Sequence, residues 1–258
     1  MSSELPSMQI IGVRTPLIKP GDDMVNLLCS SFNEHEIFLQ DGDVLVLAES
    51  AVATAEGRMV DLSTVIPGKE AEELAGKYCV DSREMELVLC ECDDIIGGVP
   101  GAALTITKGT LSPNAGIDSS NAPEGHVVLL PENAQKSAAT IRAGLEEFCC
   151  CHLGVIIGDS RTQPLRLGCM GVALGTSGIV PVEDARGSRD LFGKTLNITR
   201  KAVADNLVSA AQLLMGEADE CIPCVLIRGA PVKMVRGSEE IPIFTPDECM
   251  YYSNIKRK

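Results

Sequence analysis

The sequence predicts a mixed α+β fold, and three observations carry that prediction. Short apolar runs of strand length mix with amphipathic helical stretches, without the regular strand–helix–strand alternation of a doubly wound sheet. Across 258 residues there is no internal repeat and no low-complexity linker. Apolar residues make up 45% of the chain and aromatics only 3%, so the core is built from Val, Ile, Leu, Ala and Met. This length allows one large domain or two small ones, with ample chain to bury a core.

The elements follow in order. Residues 9–13 read as a short strand, then a Pro- and Gly-marked loop runs from Thr15 through Pro16-Leu17-Ile18-Lys19-Pro20-Gly21. Asp22 and Asp23 stand where an N-cap belongs, ahead of an amphipathic helix to about residue 31. Asp41-Gly42-Asp43 is a turn, and the apolar run 44–48 is a strand. Helices are predicted over 69–77 and 81–92, a loop over 97–101, and a β-like segment over 104–107. Residues 114–121 form a polar turn region. A strand is expected at 127–130, a helix over 133–150, and a strand over 153–157 that ends at Gly158-Asp159-Ser160. The stretch 168–178 is Gly-rich and small. A long helix over 199–215 and a strand over 222–228 follow, and the tail from Glu239 is irregular or partly helical. The basic end, Lys256-Arg257-Lys258, reads as a solvated terminus.

Charge narrows the function. With 36 acidic and 22 basic residues the net charge is −14, which opposes nucleic-acid binding, since phosphate backbones need clustered Lys and Arg. An acidic protein holds a polyphosphate only where divalent cations bridge carboxylate to phosphate, or where backbone N–H groups do so. No stretch has the length and apolarity of a membrane span. The amino terminus lacks the pattern of a signal peptide. Eleven cysteines are therefore expected as reduced thiols, in a cytoplasmic protein.

Several chemistries are missing from the motifs. There is no P-loop and no G-x-G-x-x-G after the first strand. With three His, at His35, His126 and His152, a His-based zinc site or a Ser-His-Asp triad has little support. Cys221-Ile222-Pro223-Cys224 has C-x-x-C spacing but no second such pair, and Cys90-Glu91-Cys92 and Cys149-Cys150-Cys151 supply no set of four ligands. Structural thiols are the preferred reading. What remains is a set of oxygen donors: Asp118, Asp159 with Ser160, and Glu217 past the long helix. Carboxylate and hydroxyl oxygens suit Mg2+ or Mn2+. The competing reading of each acid is a helix cap or a turn residue.

These segments resemble the coenzyme F420-0:γ-glutamyl ligase family. The resemblance runs over nearly the whole chain. It is carried by Pro16-Leu17-Ile18-Lys19 with Gly21-Asp22-Asp23, by Ala55-Glu56-Gly57-Arg58, and by Asn114-Ala115-Gly116-Ile117-Asp118 with Asn121. Gly154-Val155-Ile156-Ile157 with Asp159-Ser160, then Arg166, Gly168, Ala173, Gly175 and Gly178 continue it. Arg189-Asp190-Leu191-Phe192-Gly193, Ala204-Asp205 and Leu214-Met215-Gly216-Glu217 complete it.

That resemblance implies a single domain over 1–258 with two packed subdomains, assembled as an intertwined homodimer. It implies GTP as co-substrate and two Mg2+ or Mn2+ ions per site, with K+ as a further candidate. Asp118 and Asp159 would hold one metal, Ser160 and Glu217 the second. Pro16, Leu17, Ile18, Lys19, Glu49, Ser50, Thr54 and Asn121 would line the nucleotide site. The family pattern has a Lys where Thr54 stands, a Thr where Gly158 stands and an aromatic near Pro164. The metal donors are thus kept and the phosphate side is altered. Arg166, Arg189 and Lys19 are candidate anion contacts.

The implied activity joins the lactyl carboxylate of F420-0 to the amine of L-glutamate through an acyl phosphate. The alternatives are a ligase for another carboxylate and amine, or one using ATP, and a metal- and nucleotide-binding protein without turnover. No nucleic acid and no membrane is expected as partner.

Overall fold

The computed structural model describes residues 5–254, so the basic end Lys256-Arg257-Lys258 lies outside the described residues. The chain divides into two compact units. One holds the residues up to Gly57 and Pro131–Ile241, the other Arg58–Leu130 and the residues from Pro242 on.

In chain order the first unit opens with β1 (Gln9–Val13), α1 (Met24–Glu34), β2 (Val44–Ala48) and α2 (Glu49–Ala55). The second unit follows with β3 (Met59–Asp61), α3 (Lys69–Tyr78), α4 (Ser82–Glu91), β4 (Asp94–Val99), β5 (Ala102–Thr107), β6 (Thr110–Pro113) and β7 (His126–Val128). The chain then returns to the first unit through α5 (Ala134–Cys149), β8 (Gly154–Thr162), β9 (Cys169–Ser177), β10 (Val182–Asp184) and β11 (Arg200–Ala202). The first unit is completed by α6 (Val203–Met215) and β12 (Cys224–Arg228).

The first unit is built on one five-stranded sheet of order β1-β12-β2-β8-β9. Only β2 and β8 pair in parallel; the other neighbours are antiparallel. Side chains alternate between its faces, as the pleat requires. Leu45, Leu47, Val155 and Ile157 join a core with Leu28 and Phe32 of α1 and Ile141 and Leu145 of α5. Val44, Val46 and Ile156 face the other way, onto Ala204, Leu207, Val208 and Ala211 of α6. Both faces being covered explains why β2 and β12 read as unbroken apolar runs rather than alternating ones.

Glycines set the distance between layers. A Cβ at Gly171 of β9 would lie 2.5 Å from the Ser209 nitrogen, and one at Gly175 would lie 2.4 Å from the Ala134 carbonyl carbon. Both helices therefore sit on β9 at backbone contact. The small residues of 168–178, left without an element on sequence alone, form this strand.

Asp43 is 1% exposed and holds Arg228 through two bonds, Nε at 2.9 Å and Nη2 at 2.7 Å. This bidentate pair ties the start of β2 to the end of β12.

The second unit has a three-stranded antiparallel sheet, β4-β5-β6, and the pair β3-β7. Ala71, Ala75 and Tyr78 of α3 pack with Met85 and Val88 of α4, Ala103 of β5 and Ala115. The expected loop over 97–101 is a turn only at its end: Gly97 and Gly98 belong to β4, beside a register shift between Ile95 and Gly97. At Gly98 a Cβ would sit 2.6 Å from the Ala102 carbonyl oxygen, so the glycine reflects a tight hairpin rather than a strand break.

Other boundaries move for local reasons. Asp23 is the N-cap of α1, accepting from the Val25 and Asn26 N–H groups, and that helix runs three residues beyond 31. The helix expected from 199 starts at Val203, because Arg200–Ala202 pairs with β10 instead. Among the described residues no helix is long and apolar enough to cross a membrane.

Candidate functional site

Within the first unit, one edge of the sheet collects most of the singled-out residues. β1, β2 and β8 run in the same direction, and their carboxyl ends lie in one row. Val13 is opposite Cys224, Cys224 opposite Leu47, and Ala48 opposite Gly158. In open sheets with parallel strands, ligands bind beyond such carboxyl ends. Here that edge carries the Pro16–Lys19 loop, the start of α2 and the last residues of β8.

Backbone bonds hold these pieces in place. The Thr15 N–H donates to the Cys221 carbonyl at 3.4 Å, and the Ala48 N–H to the Pro223 carbonyl at 2.9 Å. Gly21, with φ of +88°, donates its N–H to the Ala55 carbonyl at 3.0 Å, which clamps the loop to the end of α2. Asp22 Oδ2 accepts the Lys19 N–H at 2.7 Å and closes the loop on itself. Pro16, Leu17 and Lys19 are exposed, and Ile18, Glu49 and Ser50 are partly exposed. Thr54 differs, at 7% exposed.

β8 continues past the point expected from the sequence. Asp159 and Ser160 lie inside it, opposite Val172 and Gly171 of β9. β2 has already turned into α2 opposite Gly158, so this part of β8 has lost its parallel neighbour. Successive residues point to opposite faces, and the two side chains have separate partners. The Ser160 hydroxyl donates to Glu217 Oε2 at 3.1 Å, on the side where α6 packs. The Asp159 carboxylate accepts at Oδ2 from Arg161 Nε at 2.6 Å, two residues on along the same face.

Glu217 follows the α6 C-cap, Gly216, whose φ is +71°. The Gln212 amide donates to its Oε1, so both carboxylate oxygens are engaged while the side chain stays exposed. Asp205, in the first turn of α6, accepts the Ala173 N–H at 2.9 Å. Burial raises the Asp205 carboxyl above its ordinary value, against the opposing pull of that N–H and of the Arg161 charge.

Asp118 and Asn121 belong to the second unit. Asp118 pairs with Val128 by two backbone bonds, of 2.9 and 2.8 Å, and its Oδ1 accepts the Ser120 N–H at 2.7 Å. It follows a left-handed turn in which Asn114, Ala115 and Gly116 have φ of 45°, 57° and 75°. Such backbone is sparsely populated for Asn and Ala. It is held by Asn114, whose Oδ1 accepts the Ala103 N–H at 2.8 Å.

The donor set suits a hard divalent cation. Among the described residues no three His, Cys, Asp or Glu side chains gather to enclose a metal ion. Mg2+ does not require that: it keeps waters and takes one or two carboxylates together with phosphate oxygens. The Ser160–Glu217 oxygen pair and the Asp159 carboxylate fit that manner of binding. The cysteines fit none: all eleven are free. Burial pushes Cys224 far up and Cys149 up to about 11, the opposite of activated thiols.

Arg161 and Gln212 escaped sequence reading. Arg161 is recognisable only once β8 is extended to Thr162, which puts it on the face of Asp159. Gln212 depends on where α6 ends.

Comparison with known proteins adds to this geometry. Residues 12–229 match the family model described as F420-0:Gamma-glutamyl ligase. The chain is similar to the coenzyme F420:L-glutamate ligase of Methanopyrus kandleri, at 40% identity over 236 residues covering 90% of this chain and 91% of that protein. The protein of the same name from Methanothermobacter thermautotrophicus is 40% identical over 244 residues, 93% of this chain and 97% of its own. That from Methanocaldococcus jannaschii is 39% identical over 240 residues, 92% and 94% respectively.

Proposed function

The chain belongs to the F420-0:gamma-glutamyl ligase family, and on that premise we propose that it joins L-glutamate to the lactyl carboxylate of coenzyme F420-0, using GTP. The observation that carries the reading is the shared carboxyl edge of β1, β2 and β8. The Pro16–Lys19 loop, Glu49, Ser50, Asp159 and Ser160 all lie toward that one end of the sheet, with Glu217 bonded to Ser160.

The reaction has two steps. An oxygen of the lactyl carboxylate attacks the γ-phosphorus of GTP, and the bond to the β-phosphate oxygen breaks, giving an acyl phosphate and GDP. The amine of L-glutamate then attacks the acyl carbon; inorganic phosphate leaves, and the nitrogen loses a proton. Catalysis of this kind is mainly positioning and charge neutralisation. Two Mg2+ or Mn2+ ions would supply the neutralisation, one held by Asp118 and Asp159, the other by Ser160 and Glu217. The opposite orientations of Asp159 and Ser160 on β8 support two separate positions. The Lys19 ammonium and the N–H groups of Leu17 and Ile18 would face the nucleotide, with Glu49, Ser50, Thr54 and Asn121 around it.

We assign the protein to the cytoplasm and to a homodimer. Leu165 and Leu167 in one turn and Leu191 and Phe192 in another are almost fully exposed, which favours a covering partner copy. A second reading, with another carboxylate or with ATP, is favoured by Thr54, a buried neutral side chain where the family pattern has a Lys. Purified protein incubated with GTP or ATP, Mn2+, L-glutamate and F420-0 tests both readings by mass spectrometry. A gain of one glutamyl unit with GDP release is expected. Nucleotide hydrolysis only with ATP, or only with another acceptor, would favour the second reading, and no turnover with any pair would remove both.

A further inference from the structure

Glu217 is held at both of its carboxylate oxygens, and the proposed chemistry gives one of the holders, Gln212, no role. Helix α6 ends at Gly216, whose φ of +71° turns the chain out of the helix. The Gly216 N–H donates to the Gln212 carbonyl at 3.0 Å, so the backbone of residue 212 closes the last turn. Its side chain then reaches the residue after the cap, where the Gln212 amide nitrogen donates to Glu217 Oε1. An ionised carboxylate only accepts, so the nitrogen of the amide faces it and not the oxygen. The other oxygen, Oε2, accepts the Ser160 hydroxyl at 3.1 Å. Among the described residues these are the two bonds of that carboxylate. The turn beyond the cap is closed as well. The Ala218 N–H donates to Glu220 Oε2 at 2.9 Å, and a Cβ at Gly216 would collide with the Glu220 carboxyl.

An exposed glutamate past a helix end otherwise rotates freely about its side-chain torsions. Two donors from different elements, one on each oxygen, set the carboxylate plane before any cation arrives. Each oxygen accepts one bond and keeps a second lone-pair direction for a cation. We propose that Gln212 is a positioning residue, which holds Oε1 of Glu217 and so fixes that carboxylate for the second divalent cation. The inference rests on the metal reading above. A neutral amide does this without placing a positive charge beside the cation.

The test is Mn2+ binding to the full chain, read by electron paramagnetic resonance with and without GTP. In Gln212→Leu one Mn2+ site should weaken by about tenfold, the lower end of what removal of a group behind a metal ligand costs. The site of Asp118 and Asp159 should keep its affinity. In turnover KM for Mn2+ should rise while kcat at saturating Mn2+ holds. A fall in kcat that saturating Mn2+ does not restore would mark a structural defect instead and overturn the proposal. Glu217→Ala isolates the route: adding Gln212→Leu to it should cost nothing more, because residues that act through one another are not additive. Gln212 is only partly buried, so the variants should fold, which a thermal melt establishes; Gln212→Ala carries the test if the Leu variant does not. Wild-type Mn2+ affinity in Gln212→Leu would overturn the inference and leave the metal reading standing. So would a further loss in the Glu217→Ala background. Wild-type protein that binds no Mn2+ at all would overturn the metal reading and this inference with it.

Discussion

The Ser160 hydroxyl lies 3.1 Å from Glu217 Oε2, joining β8 to the residue beyond the α6 C-cap across 57 positions of chain. This contact exists because α6 lies against β9 at backbone distance, beside Gly171. Since Glu217 is exposed, Glu217→Gln should leave the melting temperature nearly unchanged; surface substitutions move stability by about 0.5 kcal/mol or less. Loss of the charge should weaken Mn2+ binding by about tenfold or more. Calorimetric titration beside a thermal melt checks both halves.

Asp118→Asn and Asp159→Asn preserve shape and one acceptor oxygen while removing a negative charge. Each variant should lose nearly all ligation. Asp118→Asn should still fold, because Oδ1 of residue 118 can accept the Ser120 N–H as before, whereas Asp159→Asn removes a charge paired with the buried Arg161 and should also lower the melting temperature. Unchanged initial rates in both would rule out the assignment of these two acids to a metal.

Gly171→Ala places a methyl group 2.5 Å from the Ser209 nitrogen. No flexible side-chain end is available to give way there, so α6 must shift. Overpacking of this kind costs about 1–3 kcal/mol, and the shift carries Glu217 away from Ser160. Urea unfolding should show the stability loss, and Mn2+ binding should weaken in the variant even where it is fully folded.

Asp205 makes stability depend on pH in a defined direction. Burial raises its carboxyl in the folded chain, so the folded state holds the proton more tightly than the unfolded one. Its contribution is fully present below the ordinary carboxylate range, near 4, and is lost as pH rises through the raised value. Asp205→Asn keeps an oxygen for the Ala173 N–H and cannot ionise. The variant should show a flatter stability profile above that range and should gain on the wild type at neutral pH. Urea midpoints measured over a pH series would contradict this if the two profiles ran parallel.

Much of the architecture could be read from local chemistry. Asp23 and Asn133 announce α1 and α5, because a short polar side chain before an amphipathic run caps free N–H groups. The apolar runs of β2, the start of β8 and β12 are legible because both sheet faces are covered. The short helix Glu49–Ala55 was missed: it has seven residues and no side-chain cap. β9 was missed because its glycines, chosen for contact with α5 and α6, look like a loop in one dimension.

Composition and residue order by themselves determined the acidic, aliphatic α+β character of the chain, its family resemblance and the oxygen-donor types at Asp118, Asp159, Ser160 and Glu217. Tertiary structure alone decided that Asp159 and Ser160 face opposite ways, that Ser160 meets Glu217, and that Arg161 is bound to Asp159. The reason is physical. Helix caps and apolar periodicity depend on neighbours a few residues away, whereas these contacts depend on where β2 stops beside β8 and on how closely α6 can approach β9.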